Sequence, residues 1–152
     1  MKIYIYLIFL FHIIPQSYAQ LNIVQFEQID SLQNLEKRNV IVFIHTDWCK
    51  YCQVMKSKTF KNEKIIEALN EKFYFIDFNA EENRKIIFNN TSLTFKPNGS
   101  DSGIHELAIE LGTINGQINY PILCVLNEKN EIIFQQSGFL NARDLMKVLE
   151  KI

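Results

Sequence analysis

Residues 40–45, Val-Ile-Val-Phe-Ile-His, form an unbroken β-branched and aromatic run. That run limits the folds open to this chain more than any other segment. It lacks the alternation of a strand with one wet face, so it reads as a strand buried on both faces. Such a strand needs further layers above and below it, which points to an α/β domain. The run leads through Thr46, Asp47 and Trp48 into Cys49-Lys50-Tyr51-Cys52, where a helical pattern begins and continues to about Thr59. Two thiols at that junction can hold a metal, lock a loop or exchange electrons with other proteins.

The rest of the chain supplies the layers. Phe26, Ile29, Leu32 and Leu35 recur at helical spacing within residues 26–38. Asn62 is placed to cap a short helix carrying Ile65, Ile66 and Leu69, and residues 72–79 read as a second strong strand. From Ala80 to Asn119 the pattern loosens. There residues 85–90 and 93–99 suggest one small hairpin, and residues 103–111 a helix entered from Gly103 and stopped by Gly112. Residues 121–127 and 131–136 form two strands joined by Glu128-Lys129-Asn130, a loop suited to an antiparallel hairpin. Residues 141–152 close the chain as an amphipathic helix capped by Asn141, with Leu145, Val148 and Leu149 facing inward. Strands separated by helices and ending in a hairpin predict a mixed sheet.

A formal net charge of −1 in 152 residues, with both signs mixed along the chain, gives no electrostatic reason to expect a nucleic-acid partner. The N-terminus is distinct. Lys2 precedes an apolar stretch from Ile3 to Ile14, Pro15 breaks it, and Ser17-Tyr18-Ala19 offers a small-x-small site. That is the layout of a signal peptide over residues 1–19, and the apolar stretch is too short to span a bilayer. The expected mature domain is therefore residues 20–152, periplasmic or secreted, with no stable membrane insertion after cleavage. Outside the cytoplasm thiols are paired or kept reduced by a dedicated electron supply. The three cysteines, Cys49, Cys52 and Cys124, do not make a structural disulfide framework. A bridge closing so small a loop adds little stability, so the pair is expected to serve chemistry.

These residues carry a likeness. The strand at 40–45, the Asp-Trp-Cys-Lys-Tyr-Cys motif opening a helix, and Tyr120-Pro121 opening a strand before a hairpin and final helix occur in that order. In them the chain resembles the thioredoxin-like superfamily, especially the exported thioredoxin-domain proteins of bacteria, over roughly residues 22–152. The resemblance implies a thioredoxin-like α/β fold: a central mixed β-sheet flanked by helices, with an insert of about residues 83–119 before the cis-Pro strand. It implies a thiol-disulfide oxidoreductase that exchanges disulfides with protein partners and draws on an upstream redox protein. The likeness to exported reductive thioredoxin domains favours the reductive direction. No cofactor is implied, and a monomer is expected.

At the helix start Cys49 is the expected nucleophile, because unpaired N–H groups and the helix dipole favour its thiolate. Cys52, one turn inside, is the expected resolving thiol. The resemblance assigns Trp48 to the docking surface, Pro121 to a cis-proline that presents substrate backbone, and Tyr120 to partner contact. Lys50 and Tyr51 lie between the cysteines, where they meet substrate and tune the potential. An X-Pro bond is trans by default, so cis at Tyr120–Pro121 is an expectation of the resemblance alone.

Two departures stand out. Phe43 occupies the position where thioredoxins carry a buried acid, and the active-site helix lacks their kinking proline. Glu27, Asp47 and Asp77 are acids nearby in sequence, with nothing to assign the proton role to any of them. Cys124, in an apolar strand, reads as a buried inert thiol. His45 and His105 read as packing or surface residues, and His12 falls within the signal peptide. The sequons at Asn89, Asn90 and Asn98 are treated as chance in an Asn-rich chain. Two rival readings stay open: copper or zinc handling through the Cys pair with His45, and a non-catalytic interaction module. A zinc site wants about four ligands, and no second Cys-x-x-Cys is present, so no metal ligands are assigned.

Overall fold

The computed structural model describes residues 20–99 and 102–152; the expected signal peptide lies outside them. The chain opens with a 3₁₀ turn at Phe26–Gln28 that runs into helix α1, Ile29–Leu35. Strand β1, Asn39–His45, leads to α2, Lys50–Ser57, and after a second 3₁₀ turn to α3, Glu63–Lys72. Strand β2, Phe73–Asn79, follows. Four short strands come next: β3 (Ile86–Phe88), β4 (Thr91–Leu93), β5 (Phe95–Pro97) and β6 (Gly103–His105). The chain ends with α4 (Glu106–Gly112), β7 (Ile122–Leu126), β8 (Ile132–Ser137) and α5 (Ala142–Leu149).

The central sheet has the order β2-β1-β7-β8. β1 runs parallel to β2 and antiparallel to β7, and β7 pairs antiparallel with β8. The sheet is mixed, as the element order predicts. Six of the seven β1 residues are buried, as the apolar run requires. Side chains alternate across a strand, so β1 serves two cores. Val40, Val42 and Ile44 pack with Ile29, Leu107 and Leu111 on one face. Ile41 and Phe43 pack with Cys52, Met55, Ile65, Leu69 and Leu145 on the other. Helix α2 lies over the second face.

Helix starts follow their caps. The Asn62 side chain accepts from the Ile65 N–H, and that of Asn141 from the Asp144 N–H, each satisfying an orphan donor of the first turn. Within the final helix Leu145 and Leu149 are buried and Val148 is partly so.

Three expectations need correction. Leu35 points to solvent, 84% exposed, because the chain starts in 3₁₀ geometry and the buried stripe runs Phe26, Ile29, Gln33. Gln33 tolerates burial by bonding the Arg38 backbone through both ends of its amide. The single hairpin expected after residue 85 is two ribbons, β3–β4 and β5–β6. Asn89 and Asn90 both hold positive φ in the first ribbon's turn, a conformation Asn tolerates well. Finally, Gly103–His105 is a strand, and helix α4 starts only at Glu106 with the His105 side chain accepting from the Leu107 N–H as cap.

Candidate active site

Strand β1 delivers the chain to the site and a tight turn places the cysteines. The Cys49 N–H donates to the Thr46 carbonyl at 3.3 Å, closing the turn. Cys49 is the N-cap of α2, and its Sγ accepts from the Cys52 N–H at 3.1 Å. The two cysteines are joined as a disulfide. Cys52 is fully buried, whereas Cys49 keeps 6% of its surface. Of the two cysteines, the one at the helix tip is the more accessible.

The peptide bond Tyr120–Pro121 is cis. Tyr120 packs against both cores, including the one that holds Cys49 and Cys52, and its ring stands edge-on to Trp48 with centroids 6.0 Å apart. Trp48 and Tyr51 are each two-thirds exposed, and Lys50 is exposed as well. Tyr51 lies 6.3 Å from Phe139, between centroids. Val54 and Phe139 are partly exposed beside them, so an apolar, aromatic surface rims the disulfide. Phe139 escapes a sequence reading because it follows Gly138 in an ordinary loop and reaches Tyr51 only through the fold. Glu81, whose carboxylate accepts from Trp48 Nε1 at 2.9 Å, is likewise invisible to local pattern.

Behind the disulfide the face of β1 that meets α2 carries Phe43 and then His45. Phe43 is fully buried, and its register partner on β2 is Asp77. Asp77 therefore lies beside Phe43, one strand over. Asp77 Oδ2 stands 2.7 Å from Lys56 Nζ, and its Oδ1 stands 2.9 Å from His45 Nε2. Lys56 Nζ is also 3.1 Å from that same Nε2. A single ring nitrogen cannot serve both neighbours at once. The hydrogen bond made is the one to Lys56, with the ring nitrogen accepting, while Asp77 Oδ1 has no hydrogen-bond partner among the described residues. Burial pushes the Asp77 carboxyl up, but pairing with His45 and Lys56 outweighs this and leaves it below the usual range. Asp77 was detectable as a polar residue inside an apolar strand, and Lys56 as the residue one helical turn beyond Cys52. Their meeting was not.

The other flagged groups are structural. His105 is fully buried, with Nδ1 accepting from Leu107 N–H and Nε2 3.1 Å from the Arg84 carbonyl. Burial holds its pKa below the ordinary value. Cys124 sits on the β7 face turned away from α2, fully buried, its thiol pushed up to about 12 by desolvation. Glu27 pairs with Arg84 on the surface. The backbone carbonyl of Asp47 accepts from the Gln53 side chain. Among the described residues, no three His, Cys, Asp or Glu side chains converge as a metal site.

A mixed sheet with Cys-x-x-Cys opening a helix from a buried strand, together with a cis X-Pro bond, defines a thioredoxin-like class of α/β protein. The thioredoxin-like domain family matches residues 25–152, and the chain belongs to that family. Among solved structures it is similar to DsbH oxidoreductase, at 15% identity and TM-score 0.61, covering 90% of this chain and 87% of that one. A thioredoxin from Thermus thermophilus gives 18% identity and TM-score 0.61, with 87% and 86% covered. A putative disulphide-isomerase from Bacteroides thetaiotaomicron gives 18% and 0.60, with 88% and 93% covered. At these identities the likeness is one of fold. No curated protein matches the sequence.

Proposed function

We propose that the protein is an exported thiol-disulfide oxidoreductase acting on protein partners in the reductive direction. The observation that carries this reading is the placement of Cys49 Sγ at the N-terminus of α2, where it accepts the Cys52 N–H, with Cys52 buried one turn inside. In the reductive cycle the Cys49 thiolate attacks one sulfur of a partner disulfide. A Cys49–partner bond forms and the partner's other sulfur leaves as thiolate. Cys52 then loses its proton and attacks Cys49 Sγ, releasing the second partner thiol. Two electrons pass to the partner, and the Cys49–Cys52 disulfide remains for an upstream redox protein to reduce. Trp48, Tyr51 and Tyr120 serve as the docking surface, supported by their exposure or their contact around the disulfide.

Export rests on the signal-peptide layout of residues 1–19, and direction on the resemblance to exported reductive domains. Equilibration with glutathione redox buffers, read by quantifying Cys49 and Cys52 thiols, tests the direction. A potential near about −270 mV is expected of a reductant, and one near about −120 mV contradicts that direction.

A further inference from the structure

Beside the disulfide lies a cavity of about 430 Å³ that the exchange chemistry does not use. Thr46, Trp48, Glu81 and Tyr120 line it on the side of the central sheet, and Asn98 and Ser102 on the side of the β5–β6 ribbon. Thr46 immediately follows β1 and is 1% exposed, and among the described residues its hydroxyl has no hydrogen-bond partner. A buried polar atom in that state costs free energy until a ligand or other group satisfies it.

Glu81 gives the cavity its sign. One carboxylate oxygen accepts from Trp48 Nε1, and among the described residues no cation pairs with the carboxylate. The nearby guanidinium of Arg84 is engaged by Glu27 and Glu82 instead. The Glu81 loop is fixed in place. Its N–H donates to Asn79 Oδ1 at 2.9 Å, the Ala80 N–H to the His45 carbonyl at 2.7 Å, and the His105 N–H to the Ala80 carbonyl at 2.8 Å. Burial and the Glu81 charge together raise the Tyr120 hydroxyl to about 12, so the phenol stays neutral. The resulting wall combines a fixed carboxylate and two aromatic rings. Carboxylate and ring faces attract cations.

We propose that this cavity receives a lysine or arginine side chain of the partner polypeptide, carried beside the cysteine that exchanges with Cys49. This rests on the exchange reading above and adds to it a substrate class. Trp48 adjoins Cys49 in the chain and Tyr120 packs with the core that holds Cys49, which puts the cavity within reach of a polypeptide docked at the disulfide. An acidic residue at that place meets the Glu81 charge and is disfavoured.

Trp48 is the single tryptophan, so its fluorescence reports the cavity without requiring exchange. Residues 20–152 in the oxidised form are titrated with blocked peptides in which serine replaces the cysteine and its neighbour is Lys, norleucine or Glu. The Lys peptide is expected to bind about tenfold more tightly than the norleucine peptide, the joint worth of a screened ion pair and a cation–π contact. The Glu peptide is expected to be weakest. Added salt should shrink the difference, and Glu81→Gln should abolish it. Equal affinities for Lys and norleucine, or a Lys preference that survives Glu81→Gln, overturns the assignment. A parallel assay with the cysteine peptides as disulfides separates the two readings. Lys-selective binding without any exchange supports the cavity and refutes the oxidoreductase.

Discussion

At the scale of single residues, the environments of the three sulfurs predict three reactivities. Cys49 caps α2 and its sulfur accepts an N–H, and a helix N-terminus favours the charged form of a thiol. Cys52 and Cys124 are both fully buried. In the reduced protein, iodoacetamide should alkylate Cys49 alone, with a pH midpoint well under about 8.5. Mass mapping that finds Cys124 modified in the folded state, or a Cys49 midpoint at or above that value, contradicts this picture. Asp77 carries a second prediction. Its folded pKa is lowered, so its pairing with His45 and Lys56 stabilises the fold above the unfolded carboxylate value of about 3.9. That contribution is lost as pH falls through the lower folded value. Asp77→Asn should therefore cost about 1–3 kcal/mol at neutral pH by urea unfolding, and progressively less in acid. A cost that does not change with pH would show that the ion pairs are not its source. The cysteine pair and Trp48 were legible in the sequence because their geometry follows from local spacing. The Asp77–His45–Lys56 cluster was not, since it needs the register of β1 against β2 and the seating of α2 on that face.

Secondary elements were readable wherever one physical signal was strong and uncontested. β1 and β2 are continuous apolar runs, and Asn62 and Asn141 stand as caps before amphipathic stripes. The segment from Ile86 to Gly112 was readable only in part because its strands are three residues long and pair with near neighbours. Residues 103–105 share apolar character with the helix that follows, which drew them into it. What decides the matter is tertiary. Gly103 lies so close to the partner strand that an added Cβ would meet the Phe95 ring at 2.3 Å and the Lys96 carbonyl oxygen at 2.5 Å. Gly103→Ala should separate β5 from β6 and destabilise by about 1–3 kcal/mol, as overpacking does elsewhere. Amide exchange localised to residues 95–97 and 103–105 would show it. Unchanged protection there contradicts the packing. Helix α1 teaches the same lesson, since a 3₁₀ first turn rotates Leu35 outward and Gln33 inward.

For the molecule as a whole, one strand organises the function. β1 is buried on both faces, so its direction is set by two cores, and its C-terminal end aims Cys49 at the surface through a single turn. The same end anchors the Glu81 loop through the His45 carbonyl and carries His45 into the cluster behind the disulfide. The cysteine pair, its aromatic rim and the cavity therefore share one support, which the proposed exchange site would need. The central claim is that this support exists to turn over protein disulfides through Cys49. The most direct measurement is the reduction of insulin disulfides by residues 20–152 with dithiothreitol as electron donor. The wild type should accelerate reduction well above the donor alone, Cys49→Ser should abolish the acceleration, and Cys52→Ser should accumulate a mixed disulfide on Cys49. A wild type that performs no better than Cys49→Ser contradicts the account.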